Sequence, residues 1–261
     1  MTGDAPGRTA AYIVRMPLRL ALALCLLALP LRAAEPAPDC VVLLHGLARS
    51  GTSMLVLEEA LLSEGYAVVN SDYDSTLAPV EDLAAEALPA AVDACPADAP
   101  RIHFVTHSMG GILLRQWNPA THLGDRLGRT VMLAPPNQGS ELVDELGVLA
   151  PFEWINGPAG AQLATSGLPR SLGPLWRGVG IIAGDRSLNA VYSVILPGAD
   201  DGKVSVASTR AEGMAAHLTL PVTHTFIMNS PLVVGQVLSF LREGRFDPGM
   251  GLLDVFETLT D

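Results

Sequence analysis

Aromatic residues are scarce: they make up 5% of a 261-residue chain that is 49% hydrophobic. A core must therefore be built from Leu, Val, Ala and Ile, which suits a buried parallel sheet covered by helices on both faces. Basic residues are outnumbered, with 16 Lys plus Arg against 27 Asp plus Glu and a formal net charge of −11. Such a surface repels nucleic acid and gives no attraction to anionic lipid, so the expected partner is a small or neutral molecule. There is no run of like charge and no internal repeat, and the length fits one large domain. Only three cysteines occur, too few for a disulfide-dense scaffold.

The longest apolar run, inside "LRLALALCLLALPLRAA", is too short to cross a bilayer comfortably. Arg15 and Arg19 flank its start and Ala33 and Ala34 follow it, the layout of a secretory signal. Residues 1–34 are accordingly expected to be a signal peptide, with Met16 as an alternative start and retention as a membrane anchor as the rival reading. Cys25 sits within the apolar run behind bulky Leu24, which does not fit a lipid-attachment box. Loss of residues 1–34 would remove four Arg and one Asp, taking the net charge to about −14. It would leave Cys40 and Cys95, an even pair in an exported chain, and these are expected to form a disulfide.

From Cys40 onward, short β-rich runs alternate with longer helical patterns. "CVVLLHG" (40–46), "YAVVNSDY" (66–73), "RIHFVTH" (101–107), "RTVMLAPP" (129–136) and "VGIIAGD" (179–185) read as buried strands. Helices are expected at 54–65, 80–95 and 109–118, with a last strand near 217–222 and a last helix at 231–242. The βαβ order predicts an α/β fold around a mostly parallel, right-handedly wound sheet. Residues 35–261 would form this single domain. Residues 137–177, rich in Gly, Pro and Leu, break the rhythm and are expected to form a modest cap or substrate wall.

Ser108 lies in "HFVTHSMGG", directly after a predicted buried strand and directly before a predicted helix. That is the carboxyl edge of a parallel sheet, where such sheets bind ligands. Thr106-His107-Ser108-Met109-Gly110 matches the G-x-S-x-G nucleophile elbow with Thr in place of its first glycine. Small residues are needed at both flanks because the chain reverses so tightly that the serine backbone is strained. Thr106 fits if its side chain faces the sheet rather than the helix. The competing reading of Ser108 is a helix-capping serine.

A serine hydroxyl needs a base to take its proton. Among six histidines, His224 is the candidate, since it follows the last predicted strand and precedes the last helix, where a loop can reach back to the elbow. His217, at the other end of that strand, reads as a surface residue. His103 is mid-strand, His122 lies in a polar loop, and His107 is expected to point away and either pack or bond locally. The base needs a carboxylate to fix its tautomer, and the order Ser, acid, His confines the search to 109–223. Asp201, in the turn "PGADDGKVSV", is the candidate; Asp185 and Asp200 are the alternatives. The charge developing on a carbonyl oxygen needs two fixed donors. The N–H of Met109 is one, and that of Leu47, in a loop that His45 and Gly46 allow to fold over the site, is the other.

On "VVLLHGLARSG", "HFVTHSMGG", "DDGKVSV" and "VTHTF", which span residues 40 to about 242, the sequence resembles the α/β-hydrolase superfamily. Within it the similarity is to bacterial lipases and esterases of the lipase class 2, or triacylglycerol-lipase, type. The resemblance implies Ser108 as nucleophile, Asp201 as acid, His224 as base, and Leu47 and Met109 as the oxyanion hole. It also implies a serine hydrolase acting on acyl or lipid esters without a cofactor, exported, and touching a lipid surface at most transiently. Phospholipase, thioesterase, amidase and acyltransferase chemistry would use the same triad, and a catalytically silent binding module is the reading from another class. No acidic cluster suggests the calcium site of some such lipases. The cap residues Phe152, Trp154 and Ile155 are expected to form an apolar wall for an acyl chain.

Overall fold

In the computed structural model, which describes residues 1–2, 36–147 and 150–255, the apolar runs pair as a six-stranded sheet. Its strands are β1 (Cys40–Leu44), β2 (Ala67–Ser71), β3 (Ile102–His107), β4 (Leu127–Leu133), β5 (Val179–Gly184) and β6 (Ala216–Leu220). All pair in parallel, in the order β2-β1-β3-β4-β5-β6. Met1–Pro36 and Ala37–Asp261 form two compact units, and the segment expected to be a signal peptide lies almost wholly outside the described residues. Among the described residues no helix is long and apolar enough to cross a membrane.

The central strands are apolar throughout because both their faces are covered. On one face, Val42, Leu44, Phe104 and Met132 pack with α2 (Val80–Asp93) and α3 (Met109–Trp117). On the other, Val41, Leu43, Val105 and Val131 pack with α1 (Leu55–Ser63) and α8 (Pro231–Glu243). Every residue of β1 and β3 is buried, whereas the edge strand β2 is only half-buried. A disulfide joins Cys40, at the start of β1, to Cys95 just beyond α2, as the cysteine count predicts.

From β1 the chain first runs outward to β2 and then returns to place β3 on the other side of β1. The carboxyl ends of β1 and β3 therefore flank a topological switch point, where the departing loops diverge and leave a crevice. The loop after β1 is the oxyanion candidate, and the residue after β3 is Ser108. The expected cap at 137–177 contains helical pieces: α4 (Glu141–Leu146), α5 (Ala150–Ala161, interrupted at Gly157) and α6 (Leu168–Ser171). A further short helix, α7 (Ala190–Ile195), precedes the acid turn.

Candidate active site

Ser108 occupies the elbow with φ 52° and ψ −122°, a region that costs a non-glycine residue about 1–3 kcal/mol. The surroundings hold it there. Its N–H donates to Leu133 O (2.8 Å), extending the sheet pairing by one residue, and its carbonyl accepts from Gly111 N–H (3.0 Å). Gly110 is obligatory, because a Cβ there would lie 2.6 Å from Leu44 O and 2.7 Å from His45 O. The expectation for Thr106 is corrected: its Oγ1 lies 3.2 Å from where a Cβ on Gly111 would stand, so the side chain faces helix α3. The second glycine of "MGG" makes the room that a threonine at the first elbow position requires.

His224, buried in the turn after β6, brings Nε2 to 3.1 Å from Ser108 Oγ. Its Nδ1 lies 2.8 Å from Asp201 Oδ2. An ionised carboxylate can only accept, which assigns the proton to Nδ1 and leaves the Nε2 lone pair facing the serine. Asp201 is itself held: Oδ1 accepts from the N–H of Lys203 (3.0 Å) and Val204 (2.8 Å), and its carbonyl accepts from His224 N–H (2.9 Å). Gly184, at the end of β5, gives it space, since a Cβ there would lie 2.9 Å from Asp201 Cβ. Of the alternatives, Asp200 accepts from Ser193 Oγ and Gly202 N–H, and Asp185 pairs with Arg186.

Of the two expectations for His107, packing holds, since it is buried against the His224 ring at 4.8 Å between centroids. It does not bond locally: Nε2–H donates 3.1 Å to the carbonyl of His224, 117 residues along the chain. Burial first, and then the nearby His224 ring, hold its pKa well below the ordinary histidine value. It is thus a neutral prop beneath the His224 ring. Of the others, His103 bonds Asp39 and His122 stacks on Trp117. His217 is half-buried on β6 against Thr209 Oγ1 at 2.8 Å, away from the serine.

The loop after β1 crosses the elbow closely. A Cβ on Gly46 would meet His107 Nδ1 at 2.8 Å and Ser108 Cβ at 3.1 Å. His45 stacks on Tyr73, whose hydroxyl donates to the His45 carbonyl, and Ala48, at φ 53°, donates its N–H to Ser75 Oγ. Among the described residues the N–H groups of Leu47 and Met109 have no acceptor within the protein. Leu47 shares with Ser108, His107 and His224 the lining of a cavity of about 670 Å³. The cap supplies apolar walls through Leu142, Val143, Leu146 and Leu163, and Ile155 lines the cavity as expected. The side chains of Phe152 and Trp154 lie outside the described residues.

The sequence profile of the alpha/beta hydrolase family matches residues 41–237. The chain belongs to that family. No curated protein sequence matches this alpha/beta hydrolase. Among solved structures it is similar to the lipase BlEst2 of Bacillus licheniformis in mature form, at 18% identity and TM-score 0.62, covering 81% of this chain and 95% of the lipase. It is also similar to lipase B of Aspergillus fumigatus (15% identity, TM-score 0.60), covering 86% of this chain and 61% of that one. A third likeness is to phospholipase PlaB of Legionella pneumophila (17%, TM-score 0.58), covering 85% of this chain and 62% of that one. At such identities the likeness is one of fold.

Three features of this hydrolase are absent from the sequence reading. Arg115, buried on α3, donates to the carbonyls of Asn137, Leu172 and Gly173 and to Asn137 Oδ1, tying the cap to the elbow helix; burial lowers its pKa to about 10. Nothing in the local sequence marks it as buried. Arg49 and Lys203 also line the cavity. For Lys203 a signal existed, since it directly follows the Asp201-Gly202 turn and is the only lysine of the chain.

Proposed function

We propose that this protein is an exported serine hydrolase that cleaves carboxylic esters, including lipid esters, through an acyl-enzyme, with residues 35–261 as its catalytic domain. The observation that carries the reading is the hydrogen-bonded chain Ser108 Oγ, His224 Nε2, His224 Nδ1, Asp201 Oδ2 at 3.1 and 2.8 Å. His224 Nε2 takes the Ser108 proton as Oγ attacks the ester carbonyl carbon. The oxyanion that forms is held by the N–H groups of Leu47 and Met109, which are fixed before reaction and cost no reorganisation. Collapse breaks the bond to the alcohol oxygen, to which His224 returns the proton. A water molecule, deprotonated by His224, then attacks the acyl carbon and restores Ser108.

Asp201 keeps the imidazole in the required tautomer and stabilises the imidazolium. The apolar cap lining supports an acyl group as the part held, and each catalytic part in this reading is an atom of the chain itself. Export is supported by the Cys40–Cys95 disulfide, a bond that persists in oxidising compartments, together with the signal-like segment ahead of it.

The test is labelling with a fluorophosphonate probe, with the modified residue located by mass spectrometry, beside hydrolysis of p-nitrophenyl esters from acetate to palmitate. The expected result is a single label on Ser108 and a loss of turnover of about 10³-fold or more in Ser108→Ala. A folded protein with neither label nor turnover would make the chain a binding scaffold instead.

A further inference from the structure

Two cations line the cavity, half-buried Arg49 and solvent-exposed Lys203, and the serine–histidine–aspartate chain uses neither. Lys203 and Arg49 line the space that contains Ser108 and His224, while no Asp or Glu is among the described residues lining it. This is notable in a sequence with 27 acidic and 16 basic residues. Among the described residues neither cation makes an ion pair. Arg49 donates to the carbonyl of Thr225 at 3.1 Å, which leaves most of its donor fork uncommitted. Asp201, the carboxylate acting on Lys203, is committed to His224 through Oδ2 and to backbone N–H groups through Oδ1. Desolvation and, after it, the charge of Arg49 lower the proton affinity of the Lys203 ammonium, so the two cations share one neighbourhood.

Their position relative to the chemistry is asymmetric. Arg49 is tied to Thr225, the residue after His224, and Lys203 lies two residues beyond Asp201. Both therefore belong to the side of the base, and the base hands its proton to the leaving alcohol. The apolar lining comes from the cap and suits the acyl half. We propose that Arg49 and Lys203 form an anion-binding subsite for the alcohol half of the ester, so that the preferred substrate is an acyl ester whose alcohol carries a phosphate or carboxylate. A guanidinium with free N–H groups beside an ammonium matches either anion by charge-assisted hydrogen bonds. The acidic outer surface opposes this little, because charges beyond about 8–10 Å are largely screened at physiological salt, whereas an anion in direct contact with half-buried Arg49 and with Lys203 is screened only in part. The inference rests on the ester-hydrolase reading of the same site.

The experiment compares kcat/KM for four decanoyl-type esters below their micellar limits. They are monodecanoylglycerol, monodecanoylglycerol 3-phosphate, decanoyl glycerate, and a glycerol monoester of decanedioic acid, whose carboxylate lies on the acyl side. Wild-type enzyme is expected to favour the phosphate or the glycerate ester over the neutral one by about tenfold or more, and which of the two leads identifies the anion. The ratio of anionic to neutral kcat/KM cancels any change common to both. It should fall in Arg49→Gln and in Lys203→Gln, vanish in the double variant, be kept by Lys203→Arg, and shrink with added salt. An equal ratio in wild type and double variant overturns the subsite, as does a preference confined to the acyl-side carboxylate. Hydrolysis of none of the four, with no fluorophosphonate label, is a separate failure that overturns the ester reading itself.

Discussion

Asp201, Asp200 and Asp185 are distinguished by what their oxygens reach, not by any property of the residues alone. All three lie between β5 and β6, yet Asp201 alone meets His224, at 2.8 Å, with two backbone N–H groups fixing its other oxygen. Replacing it with Asn leaves the hydrogen-bonding shape but offers an amide N–H to the ring, which favours the wrong tautomer. Asp201→Asn is expected to lower kcat on p-nitrophenyl butyrate by about 10³–10⁴-fold with little change in Tm. Asp185→Asn, measured in the same assay, should stay within about tenfold of wild type. The sequence supports the choice of Asp201 only through the adjoining Gly202, whose φ of 95° is part of the turn that presents the carboxylate. It could not show that His107 props His224, because that contact spans 117 residues. The facing of Thr106 was within reach of strand periodicity: it lies two residues after Phe104, whose side chain packs on the face covered by α3.

At the scale of elements, apolar runs bounded by Gly, Asp and His reveal the strands well, because both faces of the sheet are buried and the pattern is continuous. The ends are less legible. The run 129–136 stays apolar through Pro136, but the chain leaves the sheet at Ala134, where φ is 46°, and the strand itself begins earlier, at Leu127. Helix α7 has no fully buried residue, so it gives no amphipathic signal beyond its Asn189 cap. The cap helices are punctuated by Gly157 and Pro158, which read as irregular chain. The disulfide anchors an element pair, clamping the end of α2 to the start of β1 across a separation of 55 residues. Constraint of the unfolded chain by a loop of that size contributes on the order of 4 kcal/mol at most. Thermal unfolding with and without reductant should show a clear fall in Tm on reduction, matched by Cys40→Ser/Cys95→Ser.

For the whole molecule, burial of neutral histidines sets the response to acid. Desolvation comes first among the causes that lower the pKa of His45, His103, His107 and His217, the last to about 4 from 6.5. In the window between these values the unfolded chain binds protons that the folded chain refuses, so stability falls as pH drops from 6.5 toward 4. Thermal unfolding followed across that window should show Tm falling with pH, and the gap between wild type and His217→Gln should close on acidification. The α/β class and the parallel pairing were legible because strands and helices alternate along the chain, whereas the strand order, and with it the switch point, was not, since alternation does not say on which side of β1 each later strand is laid. The cavity was not, since its walls come from the oxyanion loop, the cap and the acid turn, whose packing no local pattern encodes. One feature of that wall reaches beyond substrate choice. With a single lysine in the chain, reagents that attack amines, such as succinimidyl dyes, aldehyde fixatives and activated beads, find one side chain to modify, and it lines the cavity that holds Ser108 and His224. Tagging or immobilising this protein through its lysine is therefore expected to obstruct that cavity, and coupling at the terminal amine or through a terminal tag is the route that leaves it open.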